Sequence, residues 1–235
     1  MSETPTIVWK IVDIVEESPT VRSLYLETSS TRPVFRAGQY LTVRLPDQSP
    51  SEGKSYSISS APHQDLIRLT VRKIGTFSSA LHGKCVGDDI MTSPPYGFFH
   101  PEPEDTGSLI FIAGGIGIAP LYSIITDLIY RADTRPIRLF YSAQNEQELV
   151  FYESLSAAVT THKDALIRTF VTRQKEVGDG HTARRLQVTD ILEAVVDSAD
   201  AQVFVCGSSQ FTRDIWTSLR EVGMLPEQIY TEGFF

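Results

Sequence analysis

The chain has 235 residues, of which 41% are hydrophobic and 10% aromatic, so it carries enough apolar material for a sizeable core. Its 29 Asp and Glu residues outnumber its 21 Lys and Arg residues, and the formal net charge of −8 argues against binding of a nucleic-acid backbone. The two cysteines, Cys85 and Cys206, are too few to hold an iron–sulfur cluster or a four-cysteine zinc site within the chain.

The N-terminal residues lack a basic segment followed by an apolar one, so we expect no signal peptide. The longest apolar stretch, residues 109–121, contains three glycines and a proline and is too short to span a bilayer. Two isolated cysteines fit a reducing compartment. The sequence therefore predicts a cytoplasmic globular protein that does not insert into a membrane.

Short alternating strands are the pattern of the first hundred residues. Arg68, Thr70 and Arg72 alternate with apolar neighbours, which is the period of a half-buried strand. Many short strands separated by turn clusters predict a small antiparallel β-barrel. The predicted strands cover residues 7–15, 20–27, 40–45, 56–59, 66–72 and 89–92.

A segment rich in proline and acidic residues, 100–108, then predicts a linker. Beyond it, apolar strands alternate with helical spacing, which indicates a parallel sheet covered by helices on both faces. We therefore predict two domains, a barrel over residues 1–103 and an α/β domain over residues 108–235. The predicted α/β strands are 109–113, 137–141, 165–172 and 203–206, and the predicted helices are 121–130, 152–159 and 211–221.

A glycine-rich loop follows the first strand of the predicted α/β domain. Gly114, Gly115 and Gly117 let the backbone approach a diphosphate closely, and Pro120 suits the first turn of the helix that follows. The loop matches neither Gly-x-Gly-x-x-Gly nor a P-loop. On its own it is as compatible with a tight strand-to-helix turn as with a nucleotide site.

Two further signals lie in the barrel half. Tyr56 and Ser57 follow Lys54, and together they offer a phenol that can stack on a flat ring, a hydroxyl donor and a cation for phosphate. Residues 75–78 form a Gly-Thr-Phe-Ser turn with clustered N–H and hydroxyl donors ahead of a predicted helix. Each piece alone is compatible with an ordinary strand or turn.

Taken together and in order, these pieces resemble the ferredoxin–NADP+ reductase superfamily of flavoprotein electron-transfer enzymes, over essentially the whole chain. Residues 38–40 are similar to its Gly-Gln-aromatic strand, 54–57 to its Arg-x-Tyr-Ser flavin motif, and 75–78 to its Gly-x-x-Ser turn. The remaining similar segments are 87–88 with 95–99, 114–120, 206–207 and the terminal residues 232–235.

The resemblance implies bound FAD and a nicotinamide coenzyme. It implies that Ser57 hydrogen-bonds the flavin, that Cys206 and Glu232 flank the nicotinamide as catalytic residues, and that Phe234 or Phe235 covers the flavin face opposite Tyr56. The other flavin-binding residues that it implies are Lys54, Ile58, Thr70, Gly75, Thr76, Phe77 and Ser78. The nucleotide-binding residues that it implies are Gly114, Gly115, Gly117, Pro120, Cys206 and Gly207.

Coenzyme preference is predicted from the end of the third α/β strand. Thr172 and Arg173 stand where NADP-dependent members carry Ser/Thr-Arg, and Arg184 falls where a second contact to the 2′-phosphate is found. Guanidinium groups suit phosphate, so the pattern favours NADP, while NAD-using relatives share part of it. The five histidines show no metal-ligand spacing, and we predict no metal site.

Three departures from the superfamily pattern affect details. Lys54 replaces the usual arginine, which keeps the charge and loses the bidentate fork. Ile116 replaces a common threonine in the glycine loop. One residue follows the usual terminal aromatic, which leaves open whether Phe234 or Phe235 stacks on the flavin.

The leading hypothesis is an NAD(P)H-dependent flavoprotein reductase that passes electrons to a separate carrier, such as a ferredoxin, a flavodoxin or an oxygenase component. An alternative, motivated by Lys54, is a reductase that uses free flavin as its substrate. A second alternative is a non-catalytic nucleotide-binding subunit of a larger complex. An acidic carrier would need a basic surface, for which the barrel offers Arg36, Arg44, Arg68, Arg72 and Lys73.

Overall fold

The computed structural model describes residues 5–104, 106–194 and 200–234. It divides into two compact units, the first comprising Met1–His100 and Tyr122–Asp127 and the second comprising Pro101–Leu121 and Leu128–Phe235. The domain limits at 103 and 108 remain a prediction, and Asp105 of the predicted linker lies outside the described residues.

The first unit is an antiparallel β-sheet whose two edges meet. Its elements are β1 (Ile7–Ser18), β2 (Val21–Glu27), β3 (Tyr40–Arg44), β4 (Lys54–Ser57), β5 (Ile67–Arg72), the helix α1 (Thr76–His82) and β6 (Asp89–Thr92). The strands follow the order β4-β3-β6-β1-β2-β5 in the sheet. A bridge between Ile58 and Leu69 joins the end of β4 to β5, which closes the sheet into a barrel.

Alternation along the strands builds the core of this unit. In β3, Leu41 and Val43 are fully buried while their neighbours are half-exposed, because successive side chains point to opposite faces. Trp9 lies in the same core and its indole N–H donates to Thr92 Oγ1 at 2.8 Å, so the ring is buried without an unsatisfied donor.

The half-buried pattern predicted for residues 66–72 is wrong for two of its polar positions, because β5 buries both Arg68 and Thr70. The Arg68 guanidinium donates to Ser59 O at 2.8 Å and lies 4.5 Å from the centre of the Tyr122 ring. Interior acceptors and an aromatic face therefore compensate the cost of removing this cation from water. Arg68 consequently cannot contribute to a basic surface.

The second unit contains a six-stranded parallel sheet in the order β10-β9-β8-β7-β11-β12. With the first unit it confirms the predicted class, an antiparallel β-barrel followed by an α/β parallel-sheet domain. Its strands are β7 (Leu109–Gly114), β8 (Ile137–Ala143), β9 (Ala165–Val171), β10 (His181–Thr182), β11 (Gln202–Ser208) and β12 (Ile229–Phe234). The helices are α2 (Ile118–Tyr130), α3 (Tyr152–Val159), α4 (Val188–Leu192) and α5 (Ser209–Glu221). Within α2, the segment Tyr122–Asp127 groups with the first unit.

The central strands of this sheet are apolar on both faces. In β7 every residue from Leu109 to Ala113 is completely buried, as expected for a parallel strand covered by helices. Phe111 stacks on Phe204 of β11 with ring centres 5.5 Å apart. No helix in the parts of the chain that the structure describes is long and apolar enough to cross a membrane.

Candidate functional site

The end of β4 presents the predicted flavin-binding residues of the first unit. Pairing with β3 leaves Lys54 exposed and Tyr56 half-buried, and it buries Ser57. Burial raises the pKa of the Tyr56 phenol to about 12, so this group is a neutral hydrogen-bond donor over the physiological range. Ile58 follows with its side chain in the core and its N–H donating to Gln39 O, so the barrel already uses both groups.

The turn before α1 lies beside this strand end. The Phe77 ring stacks on Tyr56 with centres 6.4 Å apart and planes inclined by 23°. Ser78 Oγ accepts hydrogen bonds from the N–H groups of Ile74 and Gly75 and donates to Gly75 O, which fixes the turn from inside. Thr76 remains exposed at the start of the helix.

These residues fit the flavin that the motifs imply. Space is open on one side of Gly75, since a Cβ there would meet no atom within 4 Å. Around it stand the exposed Thr76 hydroxyl and the first N–H groups of α1, which have no acceptor within their own helix. Donors beside open space suit a diphosphate, and Tyr56 offers a ring that can lie against an isoalloxazine.

Thr70 is the predicted flavin contact that the structure ties most firmly to other groups. Its hydroxyl lies 2.7 Å from Ser59 Oγ and 2.9 Å from Ser23 Oγ, inside the barrel wall. Ser23 in turn donates to Glu17 Oε1 at 2.6 Å. A structural role in this hydroxyl network accounts for Thr70 without a ligand.

In the second unit, the order of the strands reverses direction between β7 and β11. In open α/β sheets, ligands bind at such a switch point, beyond the carboxyl ends of the strands. The glycine loop follows β7 there, as a short 3₁₀ turn over Gly115–Gly117 that leads into α2. Pro120 is buried within the first turn of α2, as predicted.

The loop glycines are required first by packing. A Cβ on Gly117 would lie 2.1 Å from Cys206 O, and Cβ atoms on Gly114 and Gly207 would each lie 2.7 Å from the Phe211 ring. Gly115 has a φ of 54°, in the left-handed region that favours glycine. Glycine therefore lets the loop lie directly against the end of β11.

Cys206 and Glu232 are brought together by the parallel pairing of β11 with β12, in which they are register partners. Cys206 is fully buried, and burial, followed by the nearby Glu232 carboxylate, raises the pKa of its thiol. The thiol is therefore protonated and unreactive as a nucleophile. Phe234 pairs with Ser208 and is half-buried, and Phe235 lies outside the described residues.

The predicted 2′-phosphate residues differ in their availability. Thr172 donates to Ala143 O at 3.2 Å, and Arg173 is exposed just beyond β9. The Arg184 guanidinium instead forms two hydrogen bonds with the Asp190 carboxylate, which hold the pKa of that carboxyl below its usual range. An internal partner thus already occupies Arg184.

An acidic residue after β8, Glu146, is not among the residues that the sequence predicts for the site. Glu146 Oε1 accepts hydrogen bonds from Gln174 Nε2 at 3.0 Å and from the Gly178 N–H at 2.9 Å. Its position could have identified it from the sequence, because it lies three residues after β8, and β8 is the neighbour of β7, the strand that carries the glycine loop. Elsewhere, the described residues contain no group of three or more His, Cys, Asp and Glu side chains that could hold a metal ion.

Known proteins share the sequence pattern and the fold of this chain. Residues 111–216 match the family described as the oxidoreductase NAD-binding domain. The chain is 32% identical over 208 residues to reductase component 1 of the terephthalate 1,2-dioxygenase of Comamonas sp., covering 86% of this chain and 60% of that protein. It is 30% identical over 225 residues to a flavohemoprotein of Bacillus subtilis (strain 168), covering 93% and 56%. A ferredoxin NADP+ reductase of Neisseria gonorrhoeae, solved with FAD and NADP, superposes with a TM-score of 0.82 at 21% identity, over 99% of this chain and 100% of that one.

In sequence and in fold, the chain is similar to proteins of the ferredoxin–NADP+ reductase superfamily. It spans little more than half of the length of the two curated relatives named above. Where the superfamily pattern has an arginine in its flavin motif, this chain has the exposed Lys54, and where the pattern has a threonine in the glycine loop, it has the half-exposed Ile116.

Proposed function

We propose that this chain is an NAD(P)H-dependent flavoprotein reductase that delivers electrons to a separate carrier. The observation that carries the proposal is that one chain holds two groups of residues suited to binding a nucleotide. One is the Tyr56–Ser57 strand end with the Gly75 turn, and the other is the glycine loop beside Cys206 and Glu232.

The first unit binds and orients FAD. When bound, FAD accepts a hydride from the nicotinamide and releases the electrons singly, so the hydride chemistry belongs to the cofactors. Tyr56 lies against one ring face and its neutral phenol donates a hydrogen bond, while Ser57 supplies a hydroxyl donor. Thr76 and the Gly75 turn hold the diphosphate, and Lys54 neutralises part of its charge.

The second unit binds and orients the coenzyme. The glycine loop and the start of α2 receive the diphosphate at the switch point of the sheet. Cys206 and Glu232 flank the nicotinamide, and the buried, protonated thiol does not act as a nucleophile there. Positioning of two rings is the chief catalytic contribution of these side chains.

The electron acceptor is a separate ferredoxin, flavodoxin or oxygenase component. Similarity to the reductase component of a terephthalate dioxygenase and to that of a naphthalene dioxygenase system supports an oxygenase-type partner. The acceptor surface includes no contribution from Arg68, because that side chain is buried.

The test begins with the absorption spectrum of the protein as purified or after addition of FAD. Oxidation of NADH and NADPH is then followed with ferricyanide as the acceptor. We expect a flavin spectrum that is bleached by at least one coenzyme and catalytic reduction of ferricyanide. A protein that binds nucleotide without turnover would instead be the non-catalytic subunit, and a protein that binds neither flavin nor nucleotide would refute both.

The alternative of a free-flavin reductase is favoured by the exposed Lys54, whose ammonium forms weaker contacts to a diphosphate than a guanidinium does. Exhaustive dialysis separates the two activities. Flavin that stays bound supports the electron-transfer reductase, and flavin that exchanges freely and is reduced at saturable concentrations supports the alternative. Lys54→Arg should slow flavin dissociation in either case.

A further inference from the structure

We propose that Glu146 selects the coenzyme by accepting a hydrogen bond from the adenosine ribose 2′-hydroxyl, so that the protein prefers NADH to NADPH. This inference rests on the proposed function and reverses the preference that Thr172, Arg173 and Arg184 predict from the sequence alone.

The position of Glu146 is the first argument. β8 is the immediate neighbour of β7, the strand that carries the glycine loop, and Glu146 lies three residues beyond the end of β8. In dinucleotide-binding α/β folds, an acidic side chain in the corresponding place accepts from the ribose 2′-hydroxyl and disfavours a 2′-phosphate. Thr172 and Arg173 follow β9, the next strand outward, so the same sheet edge carries the acid and the predicted phosphate ligands.

The orientation of the carboxylate is the second argument. Gln174 and the Gly178 N–H both donate to Oε1, and Gln174 Oε1 accepts from the Glu146 N–H at 3.2 Å. This reciprocal pair holds the carboxylate against the 172–178 loop. Within the ranges 5–104, 106–194 and 200–234, no group donates to Oε2, which leaves that oxygen as an acceptor for a ligand hydroxyl.

The local charge balance is the third argument. The cation predicted as a second phosphate ligand, Arg184, is neutralised by Asp190 through two hydrogen bonds. The exposed cations of the 172–180 loop, Arg173 and Lys175, are matched in number by the exposed acids Glu176 and Asp179. Glu146 therefore adds negative charge to a loop without net positive charge, and a 2′-phosphate there would meet repulsion.

Two measurements on the full chain test this inference. The first is the ratio of kcat/KM for NADH to that for NADPH, with ferricyanide as the acceptor. The second is calorimetric binding of 5′-ADP and 2′,5′-ADP, which requires no turnover. Glu146→Gln removes the charge and keeps an oxygen that can accept from Gly178. We expect it to lower the kcat/KM ratio and to tighten 2′,5′-ADP relative to 5′-ADP by about tenfold, the size of one lost charge–charge repulsion at close range.

Glu176→Gln is the matched control, because it makes the same charge change in an exposed side chain of the 172–180 loop against which Glu146 is held. We expect it to change both ratios less than twofold, since exposed charges are strongly screened. An equal effect of the two variants would show that only net charge matters and would overturn the role of Glu146.

Unchanged ratios in Glu146→Gln, with a melting temperature equal to that of the wild type, would also overturn the inference. So would a wild-type protein that already prefers NADPH. Failure of the proposed function looks different: the wild type would bind 5′-ADP and discriminate against 2′,5′-ADP, yet would oxidise neither coenzyme. In that case the binding ratio of Glu146→Gln still decides the role of the carboxylate.

Discussion

Burial keeps two ionisable side chains of the candidate site neutral, the Tyr56 phenol and the Cys206 thiol. The raised pKa of Tyr56 predicts how the stability of the protein depends on pH. The unfolded chain loses the phenolic proton near the ordinary pKa of 10, and the folded chain loses it near 12. Between these values the unfolded state binds fewer protons, so the free energy of unfolding falls as the pH rises from about 10 to about 12.

We therefore expect Tyr56→Phe to lose less stability than the wild type between pH 9 and pH 11. Urea unfolding at the two pH values, followed by circular dichroism, measures the difference. Tyr130→Phe is the control, because it removes an exposed phenol and should leave the wild-type drop intact. An identical drop in the wild type and in Tyr56→Phe would contradict the burial of this hydroxyl.

Arg68 shows what residue patterns leave out. Its alternation with apolar neighbours predicts a strand, which is correct, and a solvent-facing side chain, which is wrong. The groups that compensate its burial are Ser59 O, two residues after the end of β4, and the Tyr122 ring, more than fifty positions further along the chain. Compensation from remote residues has no signature in a local sequence window.

The connection from β7 to α2 depends on the closeness of one glycine to the neighbouring strand. Because a Cβ on Gly117 would lie 2.1 Å from Cys206 O, Gly117→Ala must move either the 3₁₀ turn or the end of β11. We expect a loss of about 2–3 kcal/mol in the free energy of unfolding, at the upper end of overpacking penalties. Urea unfolding of the flavin-free protein measures it.

Gly75→Ala provides the contrast, because the Cβ would enter open space and the backbone there is extended. Its free energy of unfolding should stay within about 1 kcal/mol of the wild type. Its affinity for FAD should fall, since the methyl group occupies the side of the turn assigned to the diphosphate. Equal losses of stability in the two variants would contradict the packing argument.

Most strands and helices have a recognisable pattern in the sequence, whereas the elements that depend on their neighbours do not. β7 and β8 are almost completely buried, and their position was predicted because burial on both faces leaves a clear apolar pattern. β9 was also predicted, although its first four residues are only half-buried. β10 has two residues and α4 has five, too few to show a period. β12 alternates exposed and half-buried positions beyond Ile229, and its pairing with β11 defines it as a strand. The terminal motif was recognised, while its strand was not.

At the scale of the whole molecule, the two units are not consecutive in sequence, since Tyr122–Asp127 groups with the first. Within that unit, Ser123 Oγ donates to Ser60 O at 2.7 Å, and both residues are buried. We expect Ser123→Ala to lower the free energy of unfolding by about 1–2 kcal/mol, because a buried carbonyl loses its donor. Amide hydrogen exchange in β5 should accelerate, since the Arg68 N–H donates to Ser60 Oγ.

Thr160→Ala is the control for this prediction. It also removes a hydroxyl that donates to a backbone carbonyl, but at an exposed position just after α3. Its effect should stay below about 0.5 kcal/mol, as for most surface substitutions. If Ser123→Ala lowered the free energy of unfolding no more than Thr160→Ala and left amide exchange in β5 unchanged, the hydrogen bond from Ser123 to the barrel would not contribute to stability.

The shortness of β10 has a consequence for self-association. It pairs with only Thr169 and Phe170, so within the described residues the outer side of β9 from Ala165 to Arg168 has no strand partner. A half-exposed apolar strand edge is a template onto which a second polypeptide can add. Arg168 lies on this edge, paired with Glu193 at 3.5 Å, and a charged side chain on an open strand edge opposes the addition of a second copy. The solubility of concentrated or heated samples would then depend on a residue far from any chemistry.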